Sequence, residues 1–167
     1  MSNAILYRMA QGVQGAITRQ QTALGSVEPQ AFNSSLPFPS YGVPGKMVSG
    51  LFVPLSAVGD TAPYGFLVRP YPIVGLNASD ALGVAVPLCT GGVAANILRR
   101  GYMSIVCNAG TPVQGGTLYM RYANPSGALV LGGIEATSVG GSNVALTNVQ
   151  FTGPADSAGN VEIAFNI

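Results

Sequence analysis

The chain has 167 residues, enough for one domain with its own core, so neither disulfides nor a metal is needed to hold it together. Only 8% of the residues are charged, against about 25% in typical soluble domains, while 48% are hydrophobic and the net charge is +1. That balance excludes a disordered chain, which needs few apolar residues, and a basic nucleic-acid binder, which needs several clustered cations.

Residues 1–45 read as an extended N-terminal arm with at most short strands, because "QGVQGAITRQQTALGSVEPQAFNSSLPFPSYG" follows neither a helical period nor a long alternation. The start, "MSNAILYRMAQGVQG", shows no basic, apolar and cleavage regions in signal-peptide order, so no export route is expected. From Lys46 onward short apolar segments alternate with turn residues. The predicted strands are "KMVSGLFVPL", "YGFLVRPYPI", "ALGVAVPL", "GYMSIVCN", "GTLYMRYA", "GALVLGG", "SNVALTNVQF" and "NVEIAFNI". This series predicts an all-β fold, a single-domain β-sandwich or barrel of jelly-roll-like form over residues 46–167. "TGGVAANILRRG" is expected to hold one short helical turn. Pro54, Pro70, Pro72 and Pro87 fall inside predicted strands, which places those segments at sheet edges, bulges or strand ends.

The longest central run without charge, Ala81 to Leu98, is broken by Pro87, Gly91, Gly92 and Asn96, so no helix spans a membrane; strands of a membrane barrel stay compatible with the pattern. A thirteen-charge coat on about 7,700 Å² of folded surface gives roughly one charge per 600 Å². Such a surface suits a subunit covered by partners, since interface cores are depleted in Lys, Glu and Asp, and Lys46 is the sole lysine.

Catalytic chemistry has little to work with. The chain contains no histidine, which excludes histidine triads and histidine-ligated metals. Its carboxylates, Glu28, Asp60, Asp80, Glu135, Asp156 and Glu162, show no paired spacing. Cys89 and Cys107 read as buried thiols, with a disulfide as the alternative. Glycine pairs at Gly91, Gly115, Gly132 and Gly140 lack the lysine and hydroxyl of a phosphate loop and read as turns. Asn33 and Asn77 match the glycosylation pattern but read as polar loop residues. No cofactor, metal or nucleic acid is expected.

Three stretches carry a family resemblance: "YGFLVRPYPI" (Tyr64 to Ile73), "QGVQGAITR" (Gln11 to Arg19) and "VQGGTLYMRYA" (Val113 to Ala123). In order, they resemble segments of the structural cement, or capsid decoration, proteins of tailed bacteriophages. The resemblance implies a small β-rich subunit, not an enzyme, made in the host cytoplasm and seated on the outer capsid surface. There it would associate with itself as a dimer or trimer and staple neighbouring major capsid proteins, with no nucleic acid or membrane as partner. Interface candidates are Arg19, Arg69, Tyr71, Arg99, Arg100 and Arg121. For Arg69, pairing with Asp60 or Asp80 competes with a contact across an interface; for Arg99 and Arg100, a solvated turn competes with a rim contact. Tyr64, Phe66, Tyr71, Tyr119 and Tyr122 are either anchors or core. The competing function is a glycan-binding or adhesive β-domain of a tail fibre; a small hydrolase is disfavoured.

Overall fold

The structure, a computed structural model, describes residues 12–19, 26–33, 35–69 and 94–167. Tyr71, Asp80, Cys89, the predicted strand "ALGVAVPL" and the prolines at 70, 72 and 87 lie outside those residues. Among the described residues there are nine strands and no helix. They are β1 (Ser26–Ala31), β2 (Pro44–Val48), β3 (Leu51–Pro54), β4 (Gly65–Leu67), β5 (Ala94–Ala109), β6 (Thr117–Arg121), β7 (Ile134–Glu135), β8 (Asn143–Phe151) and β9 (Asn160–Phe165). The line drawn between residues 45 and 46 falls inside β2.

The 16-residue β5 organises the molecule. Its second half pairs with β9 on one edge and, in parallel, with β7 on the other; β7 pairs with β6, β6 with β8, and β8 with β9. These pairings return to their start, so the five strands close into a barrel, and closure removes the exposed sheet edges that invite aggregation. The interior is filled by Met103, Ile105, Leu118, Met120, Ile134, Leu146, Phe151, Val161, Ile163 and Phe165. The first half of β5 pairs with β1 and β4, and β4 leads through β2 to β3. A bridge between Phe32 and Phe52 nearly closes this second ring around Phe32, Phe38, Val43, Phe52, Leu67 and Ile97. Phe38 stacks on Phe52 at 4.9 Å. Gly101, at φ 135°, sits where β5 changes partners, a backbone conformation that L side chains rarely adopt.

Three expectations change. "TGGVAANILRRG" forms no helical turn over its described part, because Ile97 and Leu98 point into different cores and both are buried, which only an extended strand allows. "KMVSGLFVPL" is a hairpin: Ser49 and Gly50, at φ 50° and 79°, make a two-residue turn whose twist matches its strands. "GALVLGG" is a turn rather than a strand, since Ser126 and Leu129 bond each other's backbone, and Gly127 and Gly132 take positive φ. Its Val130 and Leu131 therefore stay exposed. Pro54 does close its strand, β3.

Candidate functional site: an arm clamp and an uncharged loop end

The first described part of the arm, Gly12 to Arg19, lies along the β5 edge opposite β9, and β1, also within residues 1–45, pairs with the first half of β5. Gly15 N–H donates to Ser104 O (2.8 Å), Ser104 N–H to Ala16 O (2.8 Å), and Thr18 N–H to Tyr102 O (3.3 Å), with Ile17 bridged to Met103. Arg69 fastens the same segment: its backbone N–H donates to Gly15 O (2.8 Å), its Nε to Gln14 O (2.9 Å), and its guanidinium lies 4.9 Å from the Tyr41 ring centroid. Asp60, one of the expected partners of Arg69, is instead held by Lys46 Nζ (2.6 Å) and the N–H groups of Ser56 and Ala57. A lone arginine in an apolar stretch, two residues past the end of β4, is thus a bolt for the arm.

Glu162, on the outer face of β9, closes the clamp. It accepts from Thr18 Oγ1 (2.5 Å), from Arg19 Nε (3.0 Å) and Nη2 (2.6 Å), and from Thr152 Oγ1 (2.8 Å), while the Arg19 guanidinium covers the Tyr102 ring at 3.8 Å. Burial pushes the Glu162 pKa up, but the hydrogen bonds from Arg19, Thr18 and Thr152 outweigh it and hold the carboxyl below its usual value. A carboxyl depressed in the folded state adds stability in full above its unfolded pKa, and the gain is lost as pH falls through the folded value. We therefore expect acid, below the ordinary glutamate range, to release residues 12–19 before the barrel melts. Amide exchange at Gly15 and Thr18 should rise in that window for the wild type, and already at neutral pH for Glu162→Gln.

Arg99 and Arg100 lie in β5, not in a turn. Arg99 stacks over Tyr64 (3.4 Å to the ring centroid), donates to the Tyr64 carbonyl and approaches Glu28 Oε2 at 3.4 Å, tying β1 to the start of β4. Tyr64 Oη also donates to Glu28 Oε2 at 3.1 Å. Arg100 alternates with it, is exposed and forms no ion pair among the described residues. Of the aromatic candidates, Phe66 is core, edge-on to Phe165 at 5.1 Å, while Tyr119 and Tyr122 are half-buried.

Arg121 leaves the barrel interior because it alternates with the core residues Leu118 and Met120, yet it is only 3% exposed and Glu135 only 1%. Both are roofed by loops. Arg121 Nε and Nη2 grip the two Glu135 oxygens, the second at 2.9 Å, and Nη1 donates to Ala123 O (3.2 Å) and Asn124 O (3.1 Å). Asn143, opposite Arg121 in the register, donates to Glu135 Oε2 and Thr137 O (each 2.8 Å) and accepts from Val139 N–H (2.8 Å). Asn124 Nδ2 donates to Ser142 Oγ at 3.0 Å. One polar network thereby fixes both loops at this end, residues 122–133 and 136–142.

Between Arg100 and Asp156 these are the only two charges in the sequence, so residues 101–155 present none to solvent. Two isolated opposite charges in so long a neutral run are the signal in the sequence for this pair, and the side chain of Arg121, an expected interface residue, is taken up by Glu135. Val113, Val130, Leu131 and Val139 are exposed on the loops of this region.

No cluster of three His, Cys, Asp or Glu residues among the described residues can hold a metal. Each described carboxylate is occupied within the fold, Asp156 by the N–H groups of Ala158 and Asn160. Cys107 is a half-buried free thiol, its pKa pushed up by burial. What the arrangement offers is contact surface.

The family model described as "XM1 gp53 minor capsid protein" matches residues 1–165. No curated protein matches. Among solved structures, a chain of "The capsid of Myoviridae Phage XM1" is similar, with a TM-score of 0.67 and 18% identity over 99% of this chain and 97% of that one. At that identity the likeness concerns the fold. A charge-poor β-barrel whose described carboxylates are engaged within its own structure suits a structural subunit, and the chain belongs to the XM1 gp53 minor capsid protein family, a structural component of the phage virion.

Proposed function

We propose that this chain is a cement subunit: it sits on the outer capsid surface, associates with its own copies and staples neighbouring major capsid proteins. The observation that carries this reading is the absence of exposed charge over residues 101–155. Interface cores are depleted in charge, and a surface without it gains little by staying in water. The clamped arm supports the same reading, since it supplies a fixed base for the residues that precede Gly12. Of the arginine candidates, Arg100 is exposed and forms no ion pair among the described residues, so it is the one offered for a direct contact; Arg19, also exposed, is engaged with Glu162, and Arg69 and Arg99 hold the protein's own segments.

Adding purified protein to expanded shells that lack it tests the proposal. Saturable binding at a fixed ratio to the major capsid protein, with a higher shell melting temperature, is the expected result; no binding to shells would sink it. Because the contact is uncharged, affinity should change less than about 3-fold between roughly 50 and 500 mM salt, whereas a contact carried by Arg100 and partner carboxylates should weaken steeply as the Debye length shortens. A binding series at rising salt separates the two.

A further inference from the structure

We propose that the Arg121–Glu135–Asn143 network is a positioning device that presets the loops 122–133 and 136–142 as the surface that docks on the capsid lattice. The inference rests on the cement reading and names the part of the barrel that carries it.

A buried ion pair is a poor source of stability, because desolvating two charges offsets most of their attraction, and apolar residues of similar volume often do as well or better. In a chain with thirteen charges, burying two in one network calls for another purpose. The bonds supply it. Arg121 Nη1 donates to the carbonyls of Ala123 and Asn124, near the start of one loop, and Asn143 uses both ends of its amide on Thr137 and Val139 of the other. Loops rich in glycine and small residues have many conformations to lose, and those bonds remove that freedom before any partner arrives. What the loops then present is Val130, Leu131 and Val139, exposed on two loops whose sequences, 122–133 and 136–142, contain no charged residue. Gly132 adds to the fixing of this turn: its N–H bonds Arg121 O at 2.8 Å, and a Cβ there would meet Val43 at 3.3 Å.

The occupant is an uncharged surface of the capsid lattice protein. A neutral surface cannot use ion pairs to set orientation, so orientation must come from shape, and shape requires loops held rigid in advance. Arg121, Glu135 and Asn143 touch no partner in this scheme; they act through the loops.

The test compares three proteins on shells. R121M/E135L replaces the pair by apolar side chains of similar volume: its melting temperature should stay within a few degrees of the wild type, while shell affinity falls about 10-fold or more. L131D leaves the network intact and should weaken shell binding by a similar factor. Unchanged affinity for a folded R121M/E135L would overturn the positioning role, and unchanged affinity for L131D would overturn the docking surface. Should R121M/E135L fail to fold, R121K provides the same reading, because a lysine keeps the charge but cannot reach Glu135 and both loop carbonyls together. If L131D alters the oligomeric state in sizing chromatography but not shell binding, these loops join copies of the chain and the proposal is wrong. A wild type that ignores shells defeats the cement reading itself, a result distinguishable from all of these.

Discussion

Replacing Arg121 alone by alanine is expected to cost about 3 to 5 kcal/mol of stability, the range for breaking a buried pair and leaving one charge behind. Glu135 would keep only Asn143 as a donor in a site that is 1% exposed. Two loop carbonyls, those of Ala123 and Asn124, would lose their partner at the same time. For a chain of this length each kcal/mol shifts the melting temperature by about 2–4 °C, so a fall of about 6 to 20 °C should appear in a thermal melt. The apolar double replacement should be far milder, and that contrast identifies the loss as an uncompensated charge rather than lost packing. A single-variant melt within about 2 °C of the wild type would mean that Glu135 finds water when Arg121 is gone.

The second large effect is expected for Gly15→Val. Gly15 has φ +81°, where a β-branched residue is strained by roughly 1–2 kcal/mol, and a Cβ there would collide with Tyr41 and lie 3.1 Å from the Gly42 nitrogen and 3.2 Å from that of Arg69. None of those backbone atoms can retreat without disturbing the bonds from Arg69 to Gly15 and from Gly42 to Leu67. Valine should therefore expel residues 12–19 from the β5 edge, with loss of the three backbone bonds to Tyr102 and Ser104 at about 1 kcal/mol each. Proteolysis after Arg19 should become rapid while cleavage within the barrel does not. The strand edge at Tyr102 to Ser104 would be left open, so the variant should also aggregate more readily. A protease-resistant Arg19 in the valine variant would show that the arm is held by something other than this fit.

The arm clamp and the network use the protein's few charges for the same end. Arg19 to Glu162, Lys46 to Asp60, Arg99 to Glu28 and Arg121 to Glu135 each join separate segments of the chain, and of these four the last is the pair buried on both sides. Burying charge internally leaves the exterior of residues 101–155 neutral. That is a liability for a lone molecule in water and an asset for one enclosed by neighbours.

Alternation made β6 and β9 legible in the sequence: Leu118 and Met120 face inward, as do Val161 and Ile163, with Tyr119 and Glu162 between them facing out. It failed at the first half of β5, because Ile97 and Leu98 serve two cores and so erase the two-residue period. It failed again at Gly127 to Gly133, where an apolar run is kept exposed by positive-φ glycines instead of being drawn into a sheet. The arm's docking was invisible for a different reason. Its bonds to β5 come from the backbone, which every residue carries alike, and its side-chain lock depends on Glu162, 143 positions from Arg19. The fold class and the structural role could be read from residue types, whereas the pairing of each arginine depended on contacts between remote segments.

An image reconstruction of virions, carried to a resolution that traces side chains, would decide the matter most directly. It should show this chain on the outer shell with Val130, Leu131 and Val139 seated against the major capsid protein and Arg121 still closed on Glu135. Finding those loops in open solvent, with attachment made through Arg100 and its charged neighbours or with no copy on the outer surface, would contradict it.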